Sequence, residues 1–309
     1  MAINTAQIFQ LLRPGLREVV GEYGNIETEY SKVFKKTPST MQIEKVQHVA
    51  YMGYAQIKQE GGATNFDNNA GTTFTYNGET FEVGLAYSIT RKALRDNLYK
   101  TQFKPTALGL GKAFKEFWEV QSFNVYNNGT TYDAAIGGDG KAFFATDHPV
   151  VGSTASNRFA TDLDLNEASL MQAMKNIRTN WVDERGLKIK GRPKKNGLMV
   201  PVQLQDVAAR ITQTELRPGT ADNDINAIRS VNGGDGAVTG YQTVDYLTSN
   251  FAWFLNTTID DGLVFYERDA YETDMWVDNI TDNLLVKGYQ RAQPTITDWR
   301  SSFGSFPSA

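Results

Sequence analysis

The residues able to do chemistry are few in this chain, and their spacing prescribes no reaction. There is no cysteine, which excludes disulfides, thiolate metal sites and cysteine nucleophiles together. Two histidines, His48 and His148, leave little for imidazole catalysis or zinc. His148 sits in Asp147-His148-Pro149 with Asp139 nearby. That set could hold a metal, but a lone Asp-His before proline is more often a hydrogen-bonded pair in a loop. Two Gly-Gly-Asp-Gly segments, 137–140 and 233–236, offer backbone amides to a phosphate. Neither is followed by Lys-Ser/Thr or framed by a strand and a helix, so both read as tight turns. Asp260-Asp261 and Asp222/Asp224 have the residue types of an acid–base pair, yet nothing pairs them across the chain in a way that favours catalysis over solvated turns. The basic run Arg185, Lys188, Lys190, Arg192, Lys194, Lys195 could touch phosphate, but it lacks the interleaved aromatics of a single-strand binder. A solvated turn, or contact with an acidic patch on a neighbouring copy, suits it better. No catalytic residue, cofactor or metal is expected.

Composition agrees. The chain has 309 residues, 40% of them apolar and 21% charged, which is ordinary for a folded soluble protein. A net charge of −4 makes the whole chain no electrostatic match for nucleic acid or an anionic membrane. No apolar run approaches a membrane span, and the first residues lack a signal-peptide core.

The elements that must position these residues are more informative. Pro105 to Asn128 reads as one helix: proline suits a first turn, and Gly129 caps the end. Leu110, Ala113, Phe114, Phe117, Trp118 and Gln121 share one face, and Lys112/Glu116 and Lys115/Glu119 are opposite charges four apart. At about 1.5 Å per residue the rod is roughly 36 Å long. Phe114, Phe117 and Trp118 mark it as the spine of a core, with Phe117 and Trp118 expected to be buried against the strands near Trp276 to Tyr289. Before it, residues 51–88 switch to period two, with Asn77-Gly78 as a hairpin signal between Phe74-Thr75-Tyr76 and Phe81 to Ile89. The tip of this ribbon, Gly61 to Gly71, is rich in Gly, Asn and Thr and carries one large apolar residue, Phe66. A two-stranded ribbon is marginal in water, so it is expected to lie on another subunit. Residues 1–50, with Phe9 and Leu12 among scattered apolar positions around Pro14-Gly15, form an arm that packs either on a neighbouring copy or along its own body. Further on, Asn166 can cap a helix whose Leu170, Met174, Ile177 and Trp181 form one stripe. Gly197 to Pro201 reads as a buried strand before a helix over 203–213, and short strands lie near 240–246, 253–255 and 263–266.

In this order the parts resemble the major capsid protein of tailed bacteriophages, closest to the Mu-like head-subunit branch. The residues that carry the likeness are the Gly-rich ribbon placed just before the long helix, the helix end Asn127-Asn128-Gly129, and the stretch Asp139-Gly140-Lys141-Ala142-Phe143-Phe144 with Asp147-His148-Pro149. The strand Gly197-Leu198-Met199-Val200-Pro201 and the ending Ile296-Thr297-Asp298-Trp299-Arg300 add to it. The resemblance implies an α+β, HK97-like major capsid fold: N-terminal arm 1–50, extended loop 51–88, peripheral domain 89–132 with its spine helix 105–128, axial domain 133–266, and C-terminal strands 267–309 returning to the peripheral domain. It implies a non-enzymatic shell subunit, assembled as pentamers and hexamers in the host cytoplasm around packaged double-stranded DNA, with no membrane partner. Separate scaffolding and portal proteins, and decoration proteins in some relatives, would accompany it; the arm begins at Met1, with no scaffolding segment ahead of it. Candidate intersubunit contacts are Phe66, Lys58, Phe9, Leu12, Lys194 and Lys195. Lys58 lies in the loop where some relatives crosslink, but neither the acid nor the asparagine of such a bond can be placed. A protein-storing nanocompartment shell of the same fold, and more remotely a carbohydrate-active enzyme with a carboxylate pair, are the alternatives.

Overall fold

The computed structural model describes residues 27–308 apart from 51, 68–70, 96–98, 151–152, 217–224, 231–236 and 260. Phe9, Leu12, the second Gly-Gly-Asp-Gly segment, Asp222, Asp224 and Asp260 lie outside the described residues. In chain order, β1 (Lys35–Pro38), β2 (Ile43–Ala50), β3 (Gly71–Glu79) and β4 (Phe81–Ile89) precede the helices Arg91–Arg95 and Tyr99–Asn127. β5 (Gly137–Gly138), β6 (His148–Val150) and β7 (Ser153–Ala155) lead to helix Glu167–Asn180, and β8 (Pro193–Val200) to helix Gln205–Gln213. β9 (Tyr241–Thr243), β10 (Trp253–Thr257), β11 (Leu263–Val277), β12 (Leu284–Ile296) and β13 (Ser302–Ser305) complete the α+β fold. No helix among the described residues is long and apolar enough to cross a membrane.

The chain divides into two compact units. The first takes the described part of Met1–Glu44 with Glu79–Ser122 and Phe265–Pro294; the second takes Lys45–Gly78, Phe123–Val264 and Thr295–Ala309. These bounds differ from the segments read from sequence, because β13 pairs with β10 and so draws the chain end into the second unit.

In the first unit the long helix lies against a sheet of order β1-β11-β12-β4. Leu110 and Phe114 pack with Tyr271, Leu284 and Val286. A Cβ at Gly288 would come within 2.8 Å of the Phe114 ring, so any side chain here would force that ring to shift. Trp118 is fully buried, tilts on Phe81, meets Phe265 edge-on and donates its indole N–H to Gln290 at 2.8 Å. The expected packing against the stretch from Trp276 to Tyr289 is therefore made by Leu110 and Phe114, whereas Phe117 is only half-buried beside Phe81 and Ala113 is exposed. Glu119, assigned from sequence to the polar face, is buried: its carboxylate accepts from the backbone N–H groups of Glu29 (2.6 Å) and Tyr30 (3.0 Å), at the start of helix Tyr30–Val33. Burial pushes the Glu119 carboxyl above its ordinary value, and the two amides oppose that shift. Trp118→Ala is expected to cost about 3–5 kcal/mol, more than the same change at Phe117. An unchanged melting temperature for Trp118→Ala would contradict this core.

Two sequence expectations are corrected here. The long helix starts at Tyr99, a turn and a half before Pro105. The helix therefore runs through Pro105, a position at which proline gives up the backbone N–H that would bond residue 101. Asn77-Gly78 is not a hairpin turn. β3 runs through it, Gly78 is not among the positive-φ glycines such a turn requires, and Asn77 donates its N–H to Ile136 O at 2.7 Å. β3 belongs to a sheet of order β2-β3-β5, whereas β4 pairs with β12 from Phe81↔Ala292 to Ile89↔Leu284. The ribbon is therefore β2 with β3, and it begins at Ile43.

In the second unit β10 is the centre. All five of its residues are buried, and it pairs with β13 on one side and β8 on the other, with β9 parallel to β8. Helix Glu167–Asn180 starts on the expected cap: Asn166 Oδ1 accepts from Ser169 N at 2.9 Å, and Ser169 Oγ accepts from Asn166 N at 3.0 Å. Its Leu170, Met174 and Ile177, with Trp181, form the buried stripe. From the last turn of the long helix, Phe123 and Tyr126 enter this core, where Tyr126 donates its hydroxyl to Asn256 at 2.8 Å and meets Phe144 and Phe254.

Candidate functional site

The residues between β2 and β3 show what the second unit does not bury. Met52 is 66% exposed, Tyr54 74%, Phe66 88% and Ile57 fully so. Among the described residues, these four large apolar side chains on one loop form an exposed apolar surface. The loop turns near Gly61 (φ 75°), where Gly62 donates to Gln59 O at 3.0 Å. Its base is tied: Asp67 accepts from Gly53 N at 2.8 Å and from Arg185 at 2.7 and 3.0 Å. The loop thus has a hydrogen-bonded base and an exposed apolar middle. Phe66 and Lys58, expected there from sequence, are both exposed on it. Met52, Tyr54 and Ile57 were missed because the whole stretch from 51 was read as period-two strand, whereas Ala55 and Gln56 between them are exposed as well.

The basic run does not act as one patch. Arg185 is spent on Asp67 within the same chain, at the hairpin whose turn glycine, Gly186, has φ 81°. Lys194 and Lys195, expected in a turn, stand exposed at the start of β8.

Under the ribbon's base the Asp-His motif becomes a buried network. His148 and Asp139 side chains are 0% and 1% exposed, with Nδ1 to Oδ2 at 2.6 Å. The imidazole lies flat on Trp299, 4.1 Å between centroids and 3° from parallel. Asn157 is the hub. Its Nδ2 donates to the carbonyls of Phe143 (2.7 Å), Trp299 (3.0 Å) and Ser302 (3.2 Å), and its Oδ1 accepts from Ala145 N at 3.0 Å and faces His148 Nε2 at 3.2 Å. Arg300, 2% exposed, bonds Glu184 at 2.9 Å and lies over the Trp299 ring. Both His148 nitrogens are engaged by side-chain oxygens, and no group of three or more potential metal ligands converges among the described residues. Asp147 is not part of the network; it pairs at the surface with Lys141, which holds its carboxyl below the ordinary value. An opening of about 400 Å³ beside the network is lined by Thr73, Phe74, Asp139, Pro149 and Glu184, and both of its carboxylates already have partners. This is the interior of a structural joint, not an active site.

The architecture matches solved shell proteins. The procapsid subunit of bacteriophage JBD30 superposes with a TM-score of 0.54 at 14% identity, covering 99% of this chain and 77% of that one. The virus-like particle from Pyrococcus furiosus gives 0.52 at 7% identity, covering 97% and 100%, and Microbacterium phage Oxtober96 gives 0.51 at 10%, covering 91% and 90%. No curated protein matches the sequence. The fold is thus the HK97-like capsid fold. Residues 55–303 match the phage capsid protein family model, and the chain belongs to that family. Its role is structural, that of a major capsid protein, and not enzymatic.

Proposed function

We propose that copies of this chain, as pentamers and hexamers, close the icosahedral head of a tailed bacteriophage around packaged double-stranded DNA. The observation that carries this reading is the tethered loop 52–67, whose Met52, Tyr54, Ile57 and Phe66 are exposed among the described residues. Its occupant is a second copy: in closed symmetry each such contact is repeated at every subunit, so a modest apolar patch becomes a large total. The first compact unit then serves as the peripheral domain and the bulk of the second as the axial domain. Assembly in the host cytoplasm, with separate scaffolding, portal and decoration proteins, follows the same reading. Placement in the Mu-like branch rests on Asp139 to Phe144 and Asp147 to Pro149, of which Asp139, Phe143 and His148 belong to the joint beneath the ribbon.

The purified chain, with its scaffolding protein if one is needed, should yield closed particles by electron microscopy. Particles from infected cells should have the absorbance ratio of packed nucleic acid. Protein-only particles from infected cells would point to a nanocompartment, and failure to form particles to neither. The mild negative charge lets DNA fill the interior without sticking. Neutralising Lys194 and Lys195 together should leave the packaged DNA length unchanged, as measured on DNA extracted from the particles. Shorter DNA in otherwise normal shells would make that pair a DNA contact.

A further inference from the structure

The hydrogen bonds around His148 fix where its protons are. Asn157 Nδ2 faces three backbone carbonyls, so this atom is the amide nitrogen, and Oδ1, which accepts from Ala145 N, is the oxygen. His148 Nε2 faces that same oxygen and must carry a hydrogen to bond it. On the other edge, Nδ1 faces Asp139 Oδ2 at 2.6 Å, while Asp139 Oδ1 accepts from Lys141 N at 3.1 Å. A neutral imidazole has one N–H and one bare nitrogen. Beside an ionised Asp139, either neutral tautomer would set a lone pair against an oxygen lone pair at one of the two edges.

We propose that His148 is held as an imidazolium, protonated on both ring nitrogens at neutral pH, and that this buried cation fastens β5 and β6 to residues 299–302 beneath the ribbon. The groups facing it agree. Asp139 supplies the counter-charge, and the flat Trp299 face is a favourable neighbour for a cation. Arg300, on the same indole, is neutralised by Glu184 at 2.9 Å and Asp298 at 3.6 Å. Tyr76 stays uncharged, because burial and then Asp139 and Asp298 raise its hydroxyl well above the ordinary value. Asp147 is turned to Lys141. Because β5 pairs with β3 at Tyr76↔Gly137 and Thr75↔Gly138, the proton links the base of the ribbon to the chain end within the second unit. The proposal concerns the proton inventory of the joint and stands whether or not the chain forms a head.

The chain has only two histidines, so nitrogen-15 labelling of histidine gives a readable spectrum. The full-length protein is sedimented at neutral pH and its ring nitrogens recorded by magic-angle-spinning NMR, with His48→Gln used to assign His148 by subtraction. Both His148 nitrogens are expected in the protonated range, each with a bonded hydrogen. A bare-nitrogen resonance on either edge overturns the proposal, including the case in which the proton resides on Asp139. In Asp139→Asn, where the counter-charge is gone but the shape is kept, one His148 nitrogen is expected to move to the bare range. Both remaining protonated would show that Asp139 does not hold the cation, which also overturns it. If Asp139→Asn does not accumulate, the parent spectrum decides alone.

Discussion

Asn157→Ala should unfold the second unit at markedly lower denaturant than the parent, a loss of about 4 kcal/mol or more if each buried hydrogen bond removed costs roughly 1 kcal/mol. The amide side chain closes the carbonyls of Phe143, Trp299 and Ser302 and the N–H of Ala145, and it faces His148 Nε2. Alanine fills none of these, and a site with no exposure offers no water as a substitute. The isosteric Asn157→Asp separates hydrogen bonding from packing. Its second oxygen would face three carbonyl oxygens, so it should be at least as damaging although its shape is retained. Denaturation followed by tryptophan fluorescence suits the test, because Trp181 and Trp299 lie in this core. A shift under about 1 kcal/mol for both variants, the size of a single hydrogen bond, would mean that the hub carries little of the joint.

The second large effect is on assembly. Replacing Tyr54–Phe66 by Gly-Gly removes three of the four bare apolar side chains and leaves Gly53 and Asp67, which are already bonded at 2.8 Å, to close the base. Two residues span that short gap without strain, at about 3.3–3.6 Å each when extended. The removed segment holds no helix, and no large apolar side chain on it is buried. The variant should therefore keep near-normal helix content and melting behaviour while closed shells fall below detection by sedimentation and microscopy. Shells as stable as the parent's would show that the loop clamps nothing. A subunit that fails to fold would place the loop in the subunit's own core, against its exposure.

What the sequence made legible follows from where local chemistry decides the structure. Asn166 capping a helix with Leu170, Met174 and Ile177 is local, and it forms as read. The buried run of β10 is local as well. On the spine, Trp118 is buried against Phe81, Phe265 and Gln290 rather than against the strands near 276–289, a choice of partner that local spacing does not encode. Asn77-Gly78 failed because a hairpin needs its two flanks to choose each other, and here β3 pairs with β2 and β5 while β4 pairs with β12. Sequence separation hides such choices. Glu119 was misread for the same reason: its partners are backbone amides ninety residues earlier in the chain. The Asp-His pair was visible as a loop hydrogen bond, with Asp139 rather than the adjacent Asp147 as the partner. Asn157 left no signal, since a lone asparagine in a polar loop looks like any other. The loop's exposed apolar side chains were half legible: Phe66 stood out among Gly, Asn and Thr, whereas Met52, Tyr54 and Ile57 looked like a strand.

The central claim is that this loop is covered by a neighbouring copy in the shell. Because the chain has no cysteine, Ile57→Cys introduces a single thiol at a fully exposed position. Its rate of labelling by a maleimide is measured in the free subunit and again in assembled particles. The account predicts rapid labelling of the subunit and at least a tenfold slower rate in the shell, about 1.4 kcal/mol of protection. Equal rates in both states, in particles otherwise intact, would contradict it.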